Sequence, residues 1–405
     1  MPISTSQINA RRYDLDWLRV ISFGLLILYH IGMFYVTWDF HVKSIHIGTT
    51  FEPIMKLLNP WRLSLLFLIS GIAIRFAIDK HPSIAKFTLT RSLILFIPIV
   101  FGMLLIVAPQ SWLQLLENKE INSGFIDFYL QYLSAHDGFS IIVPTWNHLW
   151  YVVYIFVYTL LLAPFTRPLS RAMQTYGTKL TRVIFDSRLG VFWLLCLPVL
   201  LFWVHHFVLK PDYPSTHALV DDWANHQLYF SIFVLGFLIA KDASFWQAVH
   251  RALLPATLLV IILSSTACIV WYLESQGTKT NTFIIVEFFS ERFRKTAFAW
   301  LSIVALLSIA QRHLNTPSST LSYLNQAVFS WYILHQTLIV MFGYWLTRQS
   351  LSFFNEFVVL TLSTYLACFL LHEYIIRRQK WLRPLFGMRL NARQKRMCSN
   401  LEINT

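Results

Sequence analysis

Arg19 and His30 are separated by ten residues inside a long apolar run. On an α-helix eleven positions turn by about 1100°, three full turns plus ~20°, so the two side chains share a face roughly 16 Å apart along the axis. Imidazole titrates near neutrality and can take a proton from a hydroxyl group. A guanidinium on the same face can grip phosphate or carboxylate with paired hydrogen bonds. Asp16 stands three residues before Arg19 and adds a carboxylate to the start of the run. The plain alternative for His30 is a packed, hydrogen-bonded core residue, and for an isolated histidine that is the better reading. An imidazole deep in an apolar segment is costly unless partnered, however, and this one shares a face with a cation.

Two further imidazoles lie in apolar runs: His148 in His148-Leu149-Trp150-Tyr151, and His335 in Ser330-Trp331-Tyr332-Ile333-Leu334-His335. Arg62 follows Pro60-Trp61, and Ser70-Gly71 further along the same run permits close helix approach. Arg75, Lys80, Lys86 and Arg91 form a basic cluster that can hold the phosphates of a cytosolic donor or be ordinary loop charge. Glu287, Glu291, Arg292 and Arg294 form a mixed cluster later in the chain. Three histidines with carboxylates and arginines on several segments suit proton transfer beside an anionic substrate, if the fold brings them together. His217-Ala218-Leu219-Val220-Asp221 matches the His-x3-Asp of soluble condensing acyltransferases. With 14 histidines in the chain this is set aside as coincidence. The four cysteines, Cys196, Cys268, Cys368 and Cys398, have neither metal-ligand nor disulfide-framework spacing, so no metal site is expected.

The elements that must position these residues are membrane spans. Of the 405 residues 56% are hydrophobic and 13% charged, about half the charge of a soluble domain. The net charge of +13 does not point to nucleic acid, because the basic residues sit in short loops between apolar segments. The expected architecture is all-α and polytopic, with about ten transmembrane helices over residues 17–38, 61–78, 92–115, 148–166, 189–209, 226–240, 252–273, 296–311, 323–346 and 352–376. The first run is too long for a cleaved signal peptide and is read as a span. Most of the 33 Lys and Arg residues fall on the side that holds both termini, which predicts N-in and C-in. Residues 1–380 are read as one membrane domain and 381–405 as a basic cytoplasmic tail. The longer loops, 39–60, 116–147, 210–225 and 274–295, fall outside and carry aromatic, histidine and acidic residues, a lining that suits carbohydrate. No internal repeat and no Gly-rich phosphate loop is evident.

Arg19 and His30 with their ten-residue spacing, Leu15-Asp16-x-Leu18-Arg19, Arg62 through Ser70-Gly71, His148-Leu149-Trp150-Tyr151 and Tyr332-Ile333-Leu334-His335 occur in the order of one known family. In this pattern the chain resembles the acyltransferase-3 family of integral membrane acyltransferases. Phe40-His41-Val42-Lys43-Ser44 resembles the branch associated with succinylating periplasmic glucans. That family's basic stretch before the third span is reduced here to Arg91 and Pro98. The resemblance implies an acyl-CoA co-substrate on the cytosolic side, an outward-facing glycan acceptor, an acetyl or succinyl group transferred, and a multi-pass place in the bacterial inner membrane among its lipids. It implies His30 and His335 as catalytic residues and Arg19 and Arg91 as donor-binding. Asp16, Arg62, Ser70, His148, Trp150, Tyr332 and Glu291 are then supporting. A transporter or flippase of a polar solute is the rival reading, since intramembrane His and Arg also mark transport paths. Inverted repeats and paired broken helices would favour it, and neither is evident. A sensor or scaffold would leave the histidines without a task.

Overall fold

The computed structural model describes residues 11–277 and 281–388, and every regular element among them is helical. The main helices are α1 (Tyr13–Tyr35), α2 (Glu52–Ile78), α3 (Ile84–Glu117), α4 (Asn147–Phe185), α5 (Gly190–Leu209), α6 (Trp223–Ile239), α7 (Ala243–Arg251), α8 (Leu253–Ser275), α9 (Asn281–Phe293), α10 (Ala299–His313), α11 (Ser319–Leu346) and α12 (Phe353–Ile376). Eight of them, α1–α5, α8, α11 and α12, are long and apolar enough to cross a bilayer. Helices α6 and α7, bent by 106° at their junction, make nine if they form one span. The expected span 226–240 falls on α6. The expected span 296–311 falls on α10 and the π-turn Arg294–Phe298 before it, through which α9 continues into α10 without a break. The chain is therefore an all-α, multi-pass membrane protein. The basic tail is described only as far as Met388.

The helices pack as two compact units. The first takes in residues 1–29, 49–87 and 157–321. Its centre is the crossing of α2 and α6, which rests on two glycines. A Cβ on Gly71 would collide with the carbonyl of Phe233, and one on Gly236 with the carbonyl of Leu68. Small residues at such crossings let backbones approach where no hydrophobic effect drives helices together. The α6–α7 bend is set by Asp242, whose carboxylate caps α7 by accepting from the Phe245 backbone N–H at 2.7 Å. Helix α8 buries Ala256, Ala267 and Val270 while Leu254, Ile261, Ile262 and Ile269 face outward. Small residues inside and large aliphatics outside is the polarity expected of a helix solvated by lipid.

The second unit comprises residues 30–48, 88–156 and 322–405. It holds the end of α1, most of α3, the start of α4, and α11 and α12. Lys43 closes the C-terminus of α1: its ammonium donates to the carbonyls of Met33 (2.7 Å), Trp38 (2.6 Å) and Val36. A cation there satisfies orphan carbonyls and complements the helix dipole. Helix α3 loosens into a π-turn at Gly102–Ile106 before resuming at Ala108. The short helix Phe125–Leu133 covers that region, placing Phe128, Tyr132 and Val143 in a cluster with Ala108 and Leu115. The Tyr132 hydroxyl donates to the carbonyl of Met103 at 2.7 Å, occupying a group inside the π-turn. Gly343 of α11 admits the ring of Phe34, since a Cβ would stand 2.8 Å from its Cε2. The end of α1 is thus fixed by a cap on one side and a glycine seat on the other.

Candidate active site

The second unit brings His30, His148 and His335 together. His30 Nδ1 lies 2.7 Å from His335 Nε2, and the two rings stack at 5.0 Å. His148 meets the His335 ring edge-on at 5.1 Å. His335 is fully buried, whereas His30 keeps partial exposure. Hydrogen-bond direction through the pair follows from its far end. His335 Nδ1 is 2.6 Å from the carbonyl oxygen of Tyr332, and a carbonyl only accepts. Nδ1 therefore carries the His335 proton, its Nε2 is the acceptor, and His30 donates to it from Nδ1. The neutral His30 ring then presents Nε2 as its basic nitrogen.

His148 is fixed in the same way. Its Nε2 donates to the carbonyl of Ile333 at 3.1 Å, and its Nδ1 faces the Gln110 amide at 3.4 Å. The Tyr332 hydroxyl donates to the carbonyl of His148. Trp150 packs edge-on against Tyr154 at 5.1 Å, one turn into α4.

Gln110 is the hub of a buried polar network. Its Nε2 donates to Thr337 Oγ1 at 2.6 Å, and its Oε1 accepts from Gln336 (3.1 Å) and Asn147 (3.3 Å). Thr337 passes its own proton to the carbonyl of Ile106, a group that the π-turn makes available at 2.7 Å. Gln336 Nε2 also donates to His41 Nε2 at 2.9 Å, while His41 Nδ1 donates to Gln114 Oε1 at 2.6 Å. Both ring nitrogens of His41 are used by the neutral tautomer. Burial, outweighing the hydrogen bond to Gln114, pushes the pKa of His41 down. Three residues on, Ser44 Oγ donates to the buried carboxylate of Glu356 at 2.5 Å. The segment Phe40–Ser44 is therefore structural, with His41, Lys43 and Ser44 each anchored.

Among the residues singled out from sequence, His30, His335, His148, Tyr332 and Trp150 come together in this unit, which also holds Arg91, half-buried near the start of α3. Arg19, Asp16, Arg62, Ser70 and Glu291 belong to the first unit. Arg19 faces Asp16 at 3.5 Å. Arg62 is buried with its guanidinium 3.6 Å over the Tyr29 ring. Ser70 sits beside Gly71 at the α2–α6 crossing, and Glu291 pairs with Arg294 at 2.7 Å and Lys295 at 3.1 Å. His217 and Asp221 lie in the loop before α6, both with positive φ. Sequence reasoning missed Gln110, Gln114, Gln336 and Thr337. The signal was present: two glutamines at i, i+4 in an apolar run, and two polar residues directly after His335.

The arrangement is an intramembrane histidine pair beside a buried amide network on a multi-helix membrane scaffold, and such a pair can take up and pass on a proton. Residues 12–373 match the acyltransferase-3 family, described as an acyltransferase domain, and the chain belongs to that family. It is also similar to glucans biosynthesis protein C of Escherichia coli O139:H28 (strain E24377A / ETEC), with 22% identity over 345 residues covering 84% of this chain and 86% of the relative. No solved structure matches the chain. The protein is an acyltransferase of the membrane.

Proposed function

We propose that this protein transfers an acyl group from a cytosolic acyl-CoA to a hydroxyl of an outward-facing glycan, with His30 as general base. The observation that carries the reading is the direction of hydrogen bonding from His30 through His335 to the Tyr332 carbonyl. It leaves the basic nitrogen on the more accessible ring. The acceptor hydroxyl oxygen attacks the thioester carbonyl as His30 Nε2 takes the hydroxyl proton. The carbon–sulfur bond then breaks, and the departing thiolate recovers the proton from His30 Nε2–H as free CoA thiol. His335 touches neither reactant. It accepts from His30 Nδ1–H throughout, which orients the ring and stabilises the imidazolium, as a triad's third member does.

Arg19 is the proposed donor anchor. Its partner Asp16 holds it at 3.5 Å, a loose pairing that a phosphate can displace. Arg91 is proposed as donor-binding on the family pattern. The family membership, the glucan-protein relative and the expected N-in, C-in arrangement support placement in a bacterial inner membrane, with the acyl group acetyl or succinyl.

The test uses purified protein in nanodiscs with acetyl-CoA and succinyl-CoA and an oligosaccharide acceptor. Release of CoA thiol with a matching mass gain on the sugar is expected, and no acceptor modification with either donor would refute the reading. Arg19→Ala should weaken donor binding, with Arg19→Lys only a partial rescue because it loses the planar fork.

A further inference from the structure

The first unit contains a cavity of about 580 Å³ between the end of α5, where His206 lines it one turn before Lys210, and the α9 segment. Its walls include Phe207, Lys210, Glu287, Phe288, Arg292 and Lys295. The volume is in the range of small-ligand pockets, roughly 300–1,000 Å³. The Arg292 guanidinium lies 3.7 Å over the Phe288 ring and 4.6 Å over the Phe207 ring. Those faces hold the cation in place without neutralising it. Among the described residues, no carboxylate forms an ion pair with Arg292 or Lys210; Glu291, on the same wall, is engaged by Arg294 and Lys295. Burial, and after it the charge of Lys295, pushes the Lys210 pKa down, with Asp222 opposing. The cavity therefore carries surplus positive charge in a partly desolvated setting, where an incoming anion is worth more than in water.

A divalent cation would be repelled there, and a purely apolar ligand would bury the cations uncompensated. A neutral sugar would use the aromatic faces and Glu287 but leave Arg292 and Lys210 unanswered. Glu287 offers an acceptor for sugar hydroxyls, for which a phospholipid headgroup has less use. We propose that this cavity binds an anionic saccharide, its phosphate or carboxylate docking on Arg292 and Lys210. The inference rests on the acyl-transfer reading only in making that saccharide the acceptor.

The experiment titrates glucose 6-phosphate, glucuronate and glucose into the full-length protein in phosphatidylcholine nanodiscs. Both anionic sugars should bind, with glucose at least about tenfold weaker. Arg292→Gln and Lys210→Gln should each weaken the anionic sugars by about tenfold or more, the usual loss for a charge-assisted hydrogen bond. Acyl-CoA binding and thermal unfolding should stay unchanged in both variants. Affinity should fall as pH rises through the Lys210 titration, and Lys210→Gln should remove that dependence. Equal binding of glucose and glucose 6-phosphate, or indifference to both substitutions, overturns the proposal. Arg292-dependent retention of phosphatidylglycerol with no sugar binding would also overturn it, making the cavity a lipid site. Anionic-sugar binding without acyl transfer would sink the enzymatic reading and leave this site standing.

Discussion

Replacing His335 by glutamine separates two roles that a histidine pair can hide. If His335 only accepts from His30 Nδ1–H, as the bond to the Tyr332 carbonyl requires, His335→Gln removes one buried hydrogen bond to a ring that becomes charged during the reaction. Such a bond contributes about 1.5–3 kcal/mol, which is a loss of about 10- to 150-fold in kcat. His30→Gln removes the base itself and should cost about 10²–10⁴-fold. The double variant should be no worse than His30→Gln alone, because His335 acts only through His30. Donor affinity should be unchanged in all three. The assay is CoA thiol release in nanodiscs at saturating acceptor. Losses that multiply in the double variant would refute the assignment, as would His335→Gln costing more than His30→Gln. A well-folded, active His30→Gln would refute it outright.

Cysteines introduced at Ser123 and Ser215 should react with an impermeant thiol reagent from outside while native Cys398 stays protected; the opposite labelling would reverse the orientation and move the donor side. Gly71→Val should lower the melting temperature in detergent, because its side chain would strike the Phe233 carbonyl at an overpacking cost of about 1–3 kcal/mol or more, whereas Gly24→Ala, with nothing within 4 Å of a Cβ, should not. Equal melting of the two would show that the crossing of α2 and α6 is not close-packed. His41 is held neutral by burial, so the unfolded chain binds its proton more readily than the folded one. Its share of stability is present above the ordinary histidine value near pH 6.5 and is lost as pH falls below that toward the depressed folded value. His41→Gln should flatten this acid-side decline in thermal stability, and an unaltered decline would remove His41 as its source.

Much of the fold was legible along the chain. Runs of about 20 apolar residues mark spans wherever they occur, because the bilayer thickness sets a length that sequence reports directly. The exceptions have local causes. Residues 226–240 look like a plain span, but Asp242 caps a new helix and turns the chain by 106°. Residues 296–311 fall on α10, which continues α9 through the π-turn at Arg294–Phe298 and is buried at most of its positions. The candidate residues were also visible, since Arg19, His30, His148 and His335 stand as polar residues in apolar runs and helical periodicity puts Arg19 and His30 on one face.

What sequence alone determined, then, was which residues had to be in the membrane and that histidines among them needed partners. It could not say which partners, because spacing along a helix fixes a face but not the helix that faces it. Only the tertiary structure decided that His30 meets His335 rather than Arg62 or Asp16, that His335 is oriented by a carbonyl on its own helix, and that His30 keeps the basic nitrogen. It also decided that Gln110, Gln336 and His41 share one network, from residues more than 200 positions apart. Hydrogen-bond direction is a property of closed contacts between segments distant in the chain. It comes into being only when packing excludes water and sets each polar group against particular donors and acceptors.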